Sequence, residues 1–162
     1  MDRLVVTMPI RLEYDYTPGV ARSRFLQAIA EGRFIGQRCT ACGKVYVPPL
    51  DFCPRDGIPL DGDVALPDTG IVTTFCIVNL PFAGQTVECP YASAAVLIDG
   101  ADIAIFHLIQ EVDVSEVRMG MRVRAVWVPD AERKPDLGSI RYFAPTGEPD
   151  VPLAEVLERL RA

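Results

Sequence analysis

Cys39-Thr40-Ala41-Cys42-Gly43 and, a short way on, Cys53-Pro54-Arg55-Asp56-Gly57 are two versions of one phrase. Each sets two metal-capable side chains three residues apart and follows them with glycine, the spacing of a zinc knuckle. The glycine takes positive φ, which lets backbone amides turn toward the sulfurs. Two knuckles facing each other complete a tetrahedron. The first is a full Cys pair, whereas the second carries Asp56 where its last cysteine would fall. A carboxylate oxygen is an accepted zinc ligand at about 2.0–2.2 Å, so three thiolates and one carboxylate form a chemically reasonable, closed and hence structural site. The harder oxygen makes such a site weaker and more acid-labile than four sulfurs would. Water, Cys76 and Cys89 are the competing fourth ligands.

Working outward, residues 33–60 are too few and too polar to fold around a core of their own, so an added constraint is required there. Three of the five cysteines fall within this segment. An odd, clustered set in a chain that reads as cytoplasmic argues for metal rather than disulfides. No basic stretch followed by an apolar run opens the sequence, and no segment approaches the length needed to span a bilayer.

The 162 residues carry 49% hydrophobic and 23% charged side chains, the balance of a packed protein. The formal charge is −6, and only Lys44 and Lys134 among the sixteen basic residues are lysine. Gripping a phosphate backbone needs a basic stripe, so nucleic acid is disfavoured.

Residues 1–15 read as extended. Thr17-Pro18 offers a helix cap followed by proline at the first helical position. The run to Glu31 then lines up Ala21, Phe25, Ala28 and Ile29, about four turns closed by Gly32. From Val64 the pattern becomes β. Strands are expected over residues 71–78 (IVTTFCIV), 92–98, 103–109, 122–128 (RVRAVWV) and 139–144. Asp99-Gly100 marks a hairpin turn, and residues 112–117 mark a single helical turn. Three strands, a helical connector and two more strands is the order of an OB-fold barrel. A short helix closes the sequence, with Leu153, Val156, Leu157 and Leu160 on one face that must dock, since so few residues do not hold a helix in water unaided. The expected organisation is an N-terminal extension and helix (1–32), a zinc ribbon (33–63), a five-stranded barrel (64–147) and a helical tail (148–162): mainly β, with a helix at each end.

Catalytic candidates are sparse. Cys76 reads as a small core residue within its strand. Cys89, in the loop over residues 79–91, and His107, the sole histidine, form the one conceivable nucleophile and base, although nothing in the sequence brings them together. In the same loop Phe82 is equally an exposed anchor or a cap on the barrel, and Trp127 reads as core or rim.

Taken together these parts resemble the OB-fold, acyl-CoA-associated proteins with an N-terminal rubredoxin-like zinc ribbon. The resemblance runs from about Phe25 to Pro145. It rests on the lead-in FLQAIAEGRF (25–34), Gln37-Arg38-Cys39-Thr-Ala-Cys42-Gly43, Tyr46-Val-Pro48-Pro49, Cys53-Pro-Arg-Asp56-Gly57, Thr69-Gly70-Ile-Val-Thr-Thr, Met119-Gly120-Met-Arg-Val and Phe143-Ala-Pro. It implies a non-catalytic subunit that assembles, as a hetero-oligomer, with a thiolase or thiolase-like aldolase and helps form the passage for an acyl-CoA ester. The four-cysteine ribbon of that family falls on Cys39, Cys42, Cys53 and Asp56. No motif assigns the CoA contacts residue by residue; Arg38, Arg55 and Phe82 are candidates. The rival readings are a single-stranded nucleic-acid module, for which Arg122, Arg124 and Trp127 are the nearest match, and a stand-alone acyl-transfer enzyme using Cys89 and His107.

Overall fold

The computed structural model describes residues 4–8 and 12–161, so the extended reading of residues 1–15 lies partly outside the described residues. In chain order the elements are α1 (Val20–Ala30), β1 (Phe34–Arg38), β2 (Val45–Tyr46), β3 (Asp63–Leu66), β4 (Thr69–Val78), β5 (Tyr91–Ile98), β6 (Ile105–Ile109), β7 (Arg122–Trp127), β8 (Ile140–Pro145) and α2 (Leu153–Arg161). β2, β1 and β3 form a small antiparallel sheet in that order, and β4-β5-β6-β8-β7 close into a barrel. Its one parallel pairing, β6 with β8, follows a 3-10 turn at Val114–Glu116, which is the OB-fold connectivity. β3 opens the β-rich part of the sequence but hydrogen-bonds to β1, completing the ribbon sheet.

The stripe on α1 is as patterned: Ala21, Phe25, Ala28 and Ile29 are its buried residues. Gly32 and Arg33 close it by donating to the carbonyls of Ile29 and Ala28, a Schellman ending. Its beginning differs from the Thr17 cap. The helix starts at Val20, and its first turn is capped from outside by Asp51, whose carboxylate accepts from the Ala21 amide at 3.3 Å. A distant carboxylate does the work that the local hydroxyl was expected to do.

In the barrel, strand alternation sorts the side chains, with one change of phase. Val72 points into the main core, while Ile71 faces out toward α2. A bulge between Val72 and Thr74 then switches the inward parity from even to odd positions. Phe75 and Ile77 turn inward against the core, and Cys76 is left exposed. The core reading of Cys76 is thereby corrected: without the bulge it would share the inward face of Val72. On the outer face, Val156 of α2 is fully buried against Ile71 and Leu97. Leu153, Leu157 and Leu160 remain exposed, so only one residue of that apolar face docks on the chain's own barrel.

Ribbon and barrel are stitched together at two places, and α1 is tied to the ribbon at a third. Phe34 of β1, 1% exposed, meets Trp127 at 5.1 Å between ring centroids and Phe143 at 6.3 Å, and burying an aromatic of this size contributes about 2–3 kcal/mol. Trp127 is thus a rim residue, with the Arg133 guanidinium over its ring at 5.7 Å. Asp102, after the β5 hairpin turn, takes the Val45 amide on its carboxylate at 2.6 Å, and its own amide donates to the Val45 carbonyl at 2.9 Å. On α1, Arg24 pairs with Asp63, and with the amide of the buried Gln37 assigned the orientation that satisfies both neighbours, its oxygen accepts from Arg24 and its nitrogen donates to the Leu50 carbonyl.

Two outcomes follow. Gly120 has φ +84°, donates to Val72 and accepts from Val151, and a Cβ there would run into the Val151 carbonyl. Gly120→Ala is expected to cost about 2–3 kcal/mol in urea unfolding, from left-handed strain plus the clash. Asp99 receives two bonds from Arg122, at 2.7 and 2.8 Å, and one from the Thr69 hydroxyl at 2.6 Å. The guanidinium holds the Asp99 carboxyl below its ordinary value. This pair therefore stabilises the fold fully above about pH 4, the ordinary carboxylate value, and loses that contribution as pH falls through the lowered one. Asp99→Asn should lower stability by about 1–2 kcal/mol at pH 7, with the gap to the parent closing in unfolding curves taken below pH 4.

Candidate metal centre

The two knuckles are built alike. The Cys39 amide donates to the Lys44 carbonyl at 2.8 Å and the Gly43 amide to the Cys39 carbonyl at 2.9 Å. In the second knuckle the Cys53 amide donates to Ile58 at 2.8 Å and Gly57 to Cys53 at 2.9 Å. Gly43 and Gly57 have φ of +77° and +68°, the turn that only glycine makes without strain. The symmetry of the two turns brings four donors together. The ligand atoms of Cys39, Cys42, Cys53 and Asp56 all lie within 4.8 Å of one another.

Cys42 Sγ and Cys53 Sγ are 3.8 Å apart, the edge of a tetrahedron whose zinc–sulfur bonds are about 2.3 Å. Cys39 and Cys53 each approach Asp56 Oδ2 at 3.3 Å, the distance of thiols donating to a carboxylate. Cys39 and Cys53 are buried, Cys42 is half-buried and Asp56 is exposed. The cluster therefore has a closed side and one open edge.

The electrostatics follow from four potential anions in contact. The Cys42 thiol is pushed up to about 11, chiefly by the Asp56 carboxylate. Asp56 is held below its ordinary value by the thiols that donate to it, Cys42 foremost. At Cys53 burial works to raise the thiol, yet the net direction is downward, because the Tyr46 hydroxyl and the amides of Asp56 and Arg55 favour the thiolate. A dication at the centre would release the thiol protons and turn mutual repulsion into attraction. The donor set thus fits a four-coordinate structural ion.

Packing around the cluster is thin. Apart from the three cysteines it consists of Tyr46, Leu50, Ile58 and Leu60. Tyr46 was not singled out from the sequence, yet its hydroxyl is 3.3 Å from Cys53 Sγ. Its place in the Tyr46-Val-Pro48-Pro49 segment between the knuckles was the available signal.

The remaining candidates are scattered. Cys89 Sγ meets the Gln85 amide at 3.1 Å. His107 pairs in register with Ala94, packs edge-on to Phe143 and faces the Leu137 carbonyl at 3.4 Å. Burial pushes its pKa down. The nucleophile–base pair is not assembled. Arg122 is committed to Asp99 and Glu148, and Trp127 to Phe34 and Arg133, which removes two of the three residues from a stacking platform. Phe82 is exposed in the β4–β5 loop, its amide donating to Gln85. Arg38 is exposed at the end of β1, donating to the Gly43 carbonyl, and Arg55 is exposed on the second knuckle. None of the described helices is long and apolar enough to cross a membrane.

Residues 26–59 match the ChsH2 rubredoxin-like zinc ribbon domain, and residues 63–128 the ChsH2 C-terminal OB-fold domain, together more than half of the chain. A DUF35 domain-containing scaffold protein of Methanocaldococcus jannaschii is 32% identical over 95 residues, which are 57% of this chain and 66% of that protein. Among solved structures, the Ltp2–ChsH2(DUF35) aldolase aligns over 81% of this chain and 98% of its own matched chain, with a TM-score of 0.59 at 23% identity. A DUF35-family protein of unknown function from Sulfolobus solfataricus aligns over 67% and 78%, with a TM-score of 0.56 at 16% identity; both likenesses are of fold. On its two consecutive domains and the knuckles that define the first, this chain belongs to the ChsH2 (DUF35) family of zinc-ribbon and OB-fold proteins.

Proposed function

We propose that this chain is a non-catalytic accessory subunit of a thiolase-type or thiolase-like aldolase complex acting on acyl-CoA, with a structural zinc held by Cys39, Cys42, Cys53 and Asp56. The observation that carries this reading is a rigid, cross-stitched body that leaves large apolar side chains in water. Leu80 and Phe82 on the β4–β5 loop, Phe106 on β6, and Leu153, Leu157 and Leu160 on α2 are all exposed. Apolar exposure of this kind marks protein-interaction surface. A relative described as a scaffold protein and a fold shared with the Ltp2–ChsH2 aldolase support the same role. So does the resemblance of the motif set to companions of thiolase-type enzymes.

The four donors favour zinc over iron, because the redox behaviour of a rubredoxin iron needs four thiolates and Asp56 replaces one of them. The ion's part is to hold the knuckles together. A chain of charge −6 does not draw free anionic CoA from a distance. Contact with the ester is then local, through groups such as Arg38 or Phe82, and shared with the partner.

Two experiments test this reading. The chain purified from its native host without a tag should bring with it a thiolase-like enzyme in fixed ratio and turn over no acyl-CoA alone. Recovery as a lone species, or salt-sensitive binding of single-stranded oligonucleotide in its place, overturns the assignment. For the metal, Asp56→Ala should weaken zinc more than about tenfold in chelator competition, since even groups outside the ligand shell are worth that much. Asp56→Cys should retain one zinc per chain and release it more slowly at pH 5 than the parent does. Unchanged retention in Asp56→Ala would remove the carboxylate from the ligand set.

A further inference from the structure

The metal centre has a built partner that is not a ligand. Tyr46 is 3% exposed and Cys53 1% exposed, and the hydroxyl reaches the sulfur at 3.3 Å. A sulfur without its proton can only accept, so in a metal-bound state the hydroxyl is the donor. The same sulfur lies 3.3 Å from Asp56 Oδ2 in its own knuckle and 3.8 Å from Cys42 Sγ of the other, so the hydroxyl meets the cluster at a sulfur that touches both knuckles. Its knuckle partner is Asp56, the exposed oxygen ligand. Tyr46 arrives from β2 of the first knuckle's hairpin and reaches a sulfur of the second, spanning the two halves of the clamp.

We infer that Tyr46 is a positioning residue of the metal centre: its buried hydroxyl holds Cys53 in ligating geometry and ties the second knuckle to the hairpin of the first. The inference rests on the proposed Cys39, Cys42, Cys53 and Asp56 site. It goes beyond that site by giving a non-ligand side chain a share of the metal affinity. Removing an outer partner of this kind costs about 10–100-fold in affinity.

The variant to make is Tyr46→Phe, which keeps the ring in the ribbon's small core and removes only the hydroxyl. Zinc affinity by competition with a chromophoric chelator should fall about tenfold or more. In the cobalt(II)-substituted protein the sulfur-to-metal charge-transfer band should shift, because one sulfur loses a hydrogen-bond donor. A parallel Tyr46→Leu variant reports the loss of ring packing, and should weaken the metal no less than Tyr46→Phe. If Tyr46→Phe retains parental zinc affinity and an unchanged cobalt spectrum, the hydroxyl plays no part at the metal and the inference fails. If affinity falls while the band stays fixed, the residue supports only the fold and the inference fails equally. Should neither parent nor variant take up zinc or cobalt, the underlying site is what has failed, and the two failures are told apart by the parent protein alone.

Discussion

Three sulfurs and a carboxylate oxygen within 4.8 Å are an unstable neighbourhood without something positive at the centre. As thiols they donate protons to Asp56, which raises Cys42 and lowers Asp56. As thiolates they repel. The surrounding apolar support, four residues beside the cysteines, is too small to enforce that crowding by packing alone. Backbone turns do the enforcing: two glycine-closed knuckles with matching hydrogen bonds aim the side chains at one point, the arrangement that a bound cation would use. The geometry thus carries its own argument for a metal, independent of family membership.

The clamp matters beyond itself because the ribbon is not a free module. Its first strand inserts Phe34 among the barrel aromatics, its second is tied through Val45 to Asp102, and Asp51, just ahead of the second knuckle, caps α1. A loosened knuckle would therefore be felt at the α1 N-terminus and at the barrel's β5–β6 corner. By this route a structural ion bound in a peripheral segment would govern the shape that the proposed partner meets. The proposed accessory role needs such rigidity, since an interface assembled from exposed apolar side chains is specific only if their relative positions are held.

Much of this was legible in the sequence because periodicity and ligand spacing are local signals. The cysteine knuckles, the α1 stripe and all five barrel strands were read within a few residues of their observed ends. What escaped depended on long-range geometry or on a single inserted residue. The bulge between Val72 and Thr74 carries no residue signature in TGIVTTFCIV, yet it turned Cys76 from core to surface. Asp51 displaced Thr17 as the helix cap because tertiary placement brought a better acceptor to the amide. Tyr46 entered the sequence reading only as part of the Tyr46-Val-Pro48-Pro49 segment, and the folded hairpin is what shows its hydroxyl against Cys53.

The exposed side of α2 is the point where fold and function meet most directly. Val156 is the one residue of α2 buried against Ile71 and Leu97, and a nine-residue helix gains little from its own hydrogen bonds in water. Leu157 is 38% exposed, and Leu153 and Leu160 are about half exposed, so the isolated chain forgoes much of the burial that its pattern offers. With about half of each side chain already covered, each of these leucines would contribute about 1 kcal/mol more if fully buried. Selection for the solubility of a lone protein would favour polar residues there, whereas selection for a second protein surface accounts for the apolar stripe. The same reasoning applies to Phe82 and Phe106 on the barrel. The apolar surplus therefore lies on the outer surface of α2 and the barrel, and the four-donor cluster lies in the segment with the least apolar packing of its own.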